Sequence, residues 1–140
     1  MLFNNRTGGT RPDTINEITE FESLLLHFSG MRVTEEYEII SKGNTSEISY
    51  YHIRYSGEED LRDLQKRVVC VTREVTDILN ECKAEKWNGF HGKHPRGVLD
   101  GRMFTLTAYV NGGQKLFADG SENFPKNFST FEKWLQEKLF

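Results

Sequence analysis

The chain reads as an α+β protein, a two-layer sandwich with two helices packed on one face of a mainly antiparallel sheet, in the order ββββ-α-ββ-α. Two observations predict this. Strand-like runs come in consecutive pairs with turn residues between them, which is the pattern of hairpins and so of antiparallel pairing. Two further segments carry a single apolar stripe at helical spacing, which suits helices lying on a sheet rather than helices buried all round.

The elements follow in order. Residues 1–17 read as a flexible tail, because 4–13 hold no aliphatic or aromatic side chain and are rich in turn formers, so ordering them would cost entropy with little buried. A single domain then occupies 18–140. Phe21, Leu24, Leu25, Leu26 and Phe28 form a short apolar run closed by Gly30, the length of a strand. Val33, Glu35, Tyr37 and Ile39 alternate with polar or charged residues, and residues 48–55 are rich in β-branched and aromatic types, so the two runs make a hairpin turning at Gly43-Asn44. Leu61, Leu64 and Val68 fit a helix, whereas the β-branched residues around Cys70 favour a strand from about Leu64, the reading adopted. Thr72 then caps a helix with Val75, Ile78, Leu79 and Cys82 on one stripe, ending near Asn88-Gly89. Residues 90–101 have three glycines, one proline and no period, and read as a long loop. A second hairpin joins 103–110 to 115–118 through Asn111-Gly112-Gly113. Ser129 and Glu132 form a capping box before Phe131, Leu135 and Leu139, with Trp134 beside the stripe.

Composition narrows the function classes. The 140 residues are 36% hydrophobic and 12% aromatic, enough for one core and too short for two. Eighteen basic against 21 acidic residues leave a net charge of −3, which offers no surplus for a phosphate backbone or an anionic membrane surface. No apolar run approaches a membrane span, and the first residues lack a signal-peptide core, so the chain as it stands reads as cytoplasmic and free of nucleic-acid partners. Cys70 and Cys82 form no C-x-x-C pair and read as buried thiols. Phosphate-loop, dinucleotide and zincin motifs are missing, so no cofactor is expected.

The C-terminal part carries a specific series: Trp87-Asn88-Gly89-Phe90, Val98-Leu99-Asp100-Gly101, the Phe104-x-Leu106 strand, Asn111-Gly112-Gly113, and Gly120-Ser121-Glu122-Asn123-Phe124-Pro125-Lys126-Asn127-Phe128. It resembles a family of small uncharacterised bacterial proteins in which a helix ends in W-x-G-F, a D-G turn opens a hairpin and G-S-N-x-[FY]-P-x-N leads into the last helix. The likeness covers about the last 55 residues, with Glu122 standing where the pattern often has Asn. It implies a shared fold and no particular reaction, and relatives in that group often carry a lipoprotein signal.

The candidate site residues concentrate in two loops, 87–101 and 120–127: Trp87, Phe90, His91, His94, Arg96, Asp100, Ser121 and Asn123. The leading expectation is a non-enzymatic module that binds a protein or small ligand there, since special residues gather in these loops while the strands and helices read as ordinary core. An alternative is a small hydrolase or metal-dependent enzyme using His91, His94, Asp100 and Ser121, because imidazole, carboxylate and hydroxyl are the parts of nucleophilic or metal-assisted chemistry. His27 and His52 on strands would add ligands in the metal version. Against it, Ser121 lacks the G-x-S-x-G elbow, and D-G is first a turn signal. A third reading is an oligomerisation module, for instance a homodimer, formed through the helix-free sheet face, which leaves Tyr51, Ile53 and Tyr55 or their opposite-face neighbours uncovered.

Overall fold

The structure, a computed structural model, describes residues 14–30, 33–99 and 101–140. Its elements are β1 (Phe21–Ser29), β2 (Glu35–Ser41), β3 (Thr45–Ser56), β4 (Glu59–Val71), α1 (Thr72–Glu81), a 3-10 turn (Ala84–Trp87), β5 (His91–Gly92), β6 (Met103–Val110), β7 (Gln114–Ser121) and α2 (Phe128–Leu139). The strands form one sheet in the order β4-β3-β2-β1-β6-β7-β5, antiparallel throughout except for the short parallel pair β5–β7. Two α-helices pack on the sheet, giving the α+β architecture that the hairpin and stripe patterns predict. Among the described residues no helix is long and apolar enough to cross a membrane.

Strand alternation assigns the two faces. Leu24, Leu26 and Phe28 of β1 stand beside Tyr37 and Ile39 of β2 and beside Phe104, Leu106 and Ala108 of β6, all buried. Over this face lie Val75, Ile78 and Leu79 of α1 and Phe128, Phe131, Leu135 and Leu139 of α2. The opposite face carries His27, Glu36, Thr105 and Asp119, one in each of four neighbouring strands.

Several local expectations are corrected. β4 begins at Glu59 rather than near Leu64, because β3 continues to Ser56 and pairs with it in full through a tight turn with Gly57 at φ 66°; the helical spacing of Leu61, Leu64 and Val68 is overridden by that pairing. Thr72 does not cap α1. It is the first helical residue, and its hydroxyl donates to the Gly43 carbonyl at 2.7 Å and meets Ser46 Oγ at 2.8 Å. α1 ends at Glu81, where Lys83 takes a left-handed φ of 56°, and a 3-10 turn carries the chain to Trp87. The Ser129–Glu132 capping box is not formed: Asn127 is the N-cap residue, at φ 69°, and Glu132 instead binds the Arg102 guanidinium. The long loop holds β5.

Ordered packing begins inside the segment read as tail, whose first 13 residues lie outside the described ones. Ile15 is buried. Ile18 is held at both backbone polar groups by the Asn80 side chain, at 3.0 and 2.8 Å, as a neighbouring strand would hold it. Both cysteines are buried and free.

Candidate functional site

The two candidate loops meet through side-chain donors on backbone carbonyls. Trp87 Nε1–H donates to the Lys126 carbonyl at 2.8 Å, and Asn123 Nδ2–H donates to the Lys93 carbonyl at 3.2 Å. Gly92 and Gly120 face each other where the loops cross, and a Cβ on either would lie 2.2 Å from the Asn123 carbonyl oxygen. Close approach therefore requires glycine at both positions.

This crossing puts β5 against β7 and builds a paired arrangement on the helix-free face. His91 and His94, three residues apart, reach Asp119 and Ser121, which are two apart and so share one face of β7 at about 6 to 7 Å spacing. His91 Nδ1 is 2.7 Å from Asp119 Oδ1, and His94 Nδ1 is 2.7 Å from Ser121 Oγ. A third imidazole lies across β6, where His27 Nδ1 is 2.8 Å from Glu36 Oε2. Glu36 also accepts from Arg62, whose guanidinium covers the Tyr51 ring at 3.8 Å.

The partners fix the tautomers. An ionised carboxylate only accepts, so Nδ1 is the protonated nitrogen of His91 and of His27, and in the neutral ring Nε2 carries the lone pair, for which the described residues supply no partner. His94 is the reverse. Its Nε2 is 2.6 Å from the Val98 carbonyl, which only accepts, so Nε2 is protonated and, in the neutral ring, Nδ1 accepts a hydrogen bond from the Ser121 hydroxyl.

These groups line a cavity of about 400 Å³ whose polar walls are His27, His91, Lys93, His94, Asp119 and Ser121. Met103, Phe104 and Thr105 contribute from β6. The volume suits a small organic molecule. Ser121 is the last residue of β7, and the chain turns at Glu122 with φ 49°. Arg102 holds the turn twice: Glu122 N–H donates to the Arg102 carbonyl at 2.8 Å, and Arg102 N–H donates to the Glu122 carboxylate.

Of the residues singled out in the sequence, His91, His94 and Ser121 come together here. Trp87 does not present a surface: it is 2% exposed and packs against Phe128 and Phe131. Phe90 is half-buried and stacks on Phe104. Asn123 fastens the loops, and Arg96 is exposed outside the cavity lining. Asp100 lies outside the described residues. His52 bonds to the Tyr50 hydroxyl on β3, away from the cavity. Among the described residues no group of three or more His, Cys, Asp or Glu could hold a metal ion. Asp119 is the site residue that sequence reasoning missed, and the available signal was the Asp-x-Ser alternation that puts it on the same strand face as Ser121.

On the rest of the helix-free face, Tyr51 lies under Arg62 and near Arg67, while Tyr55 and Val69 are exposed. Comparison with known proteins finds no matching family model, no matching curated protein and no matching solved structure.

Proposed function

We propose that this protein is a small-ligand binding module whose site is the histidine-lined cavity between the 91–94 segment and the end of β7. One observation carries the reading: three imidazoles, His27 of β1 with His91 and His94 of the 91–94 segment, each held at Nδ1 by a fixed partner, border one cavity of about 400 Å³. Side chains oriented in this way are preorganised, and preorganisation lowers the entropy lost on binding.

The chemistry points to a hydroxylated acyl compound. The Nε2 lone pairs of His27 and His91 accept hydroxyl protons, and the Lys93 ammonium suits a carbonyl or carboxylate oxygen. Met103 and Phe104 offer apolar contact for a short carbon skeleton.

The test is an amide chemical-shift titration of the full chain with lactate and with methyl lactate. Saturable shifts confined to residues 91–94, 103–105 and 119–121, lost in His91→Ala, are expected. Shifts that are absent, or scattered over the surface, overturn the reading.

A further inference from the structure

The Ser121–His94 pair is more than a binding contact. We infer that Ser121 is a nucleophile, with His94 Nδ1 as its general base, for acyl transfer from a small carboxylic ester held in this cavity. The inference rests on the binding reading and adds a reaction to it.

The argument starts from proton placement. A serine hydroxyl is a weak nucleophile until a neighbouring base takes its proton, and the base must itself be held in the tautomer that leaves the receiving nitrogen free. Both conditions are met. The Val98 carbonyl, 2.6 Å from Nε2, orients the ring and keeps the proton on that nitrogen, and Ser121 Oγ lies 2.7 Å from the free Nδ1. A backbone carbonyl here occupies the orienting role that a carboxylate fills in a three-residue triad. The imidazolium that forms during reaction keeps its Nε2–H donated to Val98 and gains a second donor at Nδ1.

Presentation supports the same assignment. Ser121 closes β7, where it pairs with Met103 of β6, and the chain turns sharply at the left-handed Glu122, so its hydroxyl stands at the rim of the cavity. No G-x-S-x-G elbow is needed for this, because the abrupt turn supplies the exposure that the motif otherwise provides. Lys93 lines the same cavity and brings positive charge to a site where the acyl oxygen becomes negative.

The step balances within the site. The Ser121 Oγ–H bond breaks as its proton passes to His94 Nδ1, and Oγ bonds to the acyl carbon. The ester C–O bond then breaks, and the leaving alkoxide takes the proton from Nδ1. Water, deprotonated by the same nitrogen, attacks the acyl-serine, releases the carboxylic acid and returns the proton to Oγ.

The experiment uses the full chain with a methyl fluorophosphonate, a serine-directed probe, followed by intact mass and peptide mapping. One phosphonyl adduct per chain, mapped to Ser121 and absent in Ser121→Ala, is expected. His94→Asn keeps an acceptor near the Nδ1 position without its basicity, so labelling should slow about a hundredfold in that variant. A role limited to holding the loop would leave the rate unchanged. Amide spectra confirm that each variant is folded, and His94→Gln replaces His94→Asn if it is not. No adduct on the wild-type chain, an adduct elsewhere, or equal labelling rates in wild type and the folded His94 variant overturns the inference. The lactate titration separates the two failures: shifts at the cavity without an adduct reject the nucleophile alone, whereas loss of both rejects the site.

Discussion

The indole N–H of Trp87 and the backbone carbonyl of Lys126 form a 2.8 Å hydrogen bond that joins the 3-10 turn after α1 to the turn before α2. It satisfies the polar atom of a buried ring and fixes the loop that follows Ser121. Trp87→Phe removes the bond while keeping most of the ring, and should cost about 1 to 3 kcal/mol because the carbonyl is left without its donor. Trp87→Ala should cost about 3 to 5 kcal/mol, since the ring contacts Phe128 and Phe131 in the core. Urea unfolding of the three proteins measures both steps, and equal midpoints for wild type and Trp87→Phe would refute the first.

Gly92 and Gly120 set the distance between β5 and β7. Adding a methyl at either brings a carbon to 2.2 Å from the Asn123 carbonyl, a backbone atom that moves only if the whole 120–127 turn moves. Gly120→Ala should therefore destabilise by about 1 to 3 kcal/mol and shift the His91–Asp119 and His94–Ser121 contacts together. Thermal unfolding gives the cost. Imidazole NMR signals of His91 and His94 report the second effect, and their invariance in a destabilised Gly120→Ala protein would show that the loops do not depend on this crossing.

Asn111 latches the N-terminal segment onto the second hairpin. Its Oδ1 accepts from the backbone N–H groups of Thr19 and Glu20 at 2.8 and 3.1 Å, and its Nδ2 donates to the Glu17 carbonyl at 2.8 Å. The residue sits at φ 51°, so Asn111→Gly preserves the turn while deleting the latch. That variant should lose about 1 to 3 kcal/mol and open residues 14–20 to hydrogen exchange and proteolysis ahead of the sheet. Unchanged exchange at Thr19 and Glu20 would count against the latch.

Sequence periodicity was informative where packing obeys one rule. The stripe Val75, Ile78, Leu79 and Cys82 is buried as spaced, and the Phe104, Leu106, Ala108 and Val110 alternation faces the core. Cap signals failed because tertiary partners outcompeted local ones: Thr72 turns to Gly43, and Glu132 turns to Arg102. The candidate site divides in the same way. His91, His94 and Ser121 stood out by residue type in glycine-rich loops, but their pairing and the contribution of Asp119 depend on β5 adding in parallel to β7, a two-residue pairing with no periodic signal. His27 enters through the register of β1 against β6, which is information held across the sheet rather than along the chain.

Alkaline lability follows from the groups buried beneath the helices. Burial, aided by the Glu81 charge, pushes the Cys82 thiol from its ordinary 9.0 up to about 11. Burial first, then the charges of Glu35 and Glu132, pushes the Tyr37 phenol from 10.0 up to about 12. Cys70 is raised too, mainly by burial, as is Tyr50, by burial and its bond to Glu35. In each case the folded state holds its proton more tightly than the unfolded chain, so the associated stability is fully present below the unfolded values and disappears as pH rises through the folded ones. Loss should begin near pH 9 with Cys82 and extend toward pH 12 with Tyr37. For Cys82 the full effect is on the order of 2 to 3 kcal/mol. Urea midpoints measured from pH 7 to pH 11 should fall across the upper half of that range, and Cys82→Ala, though less stable at pH 7, should fall less steeply. A Cys82→Ala slope as steep as that of wild type would assign the alkaline loss to other groups.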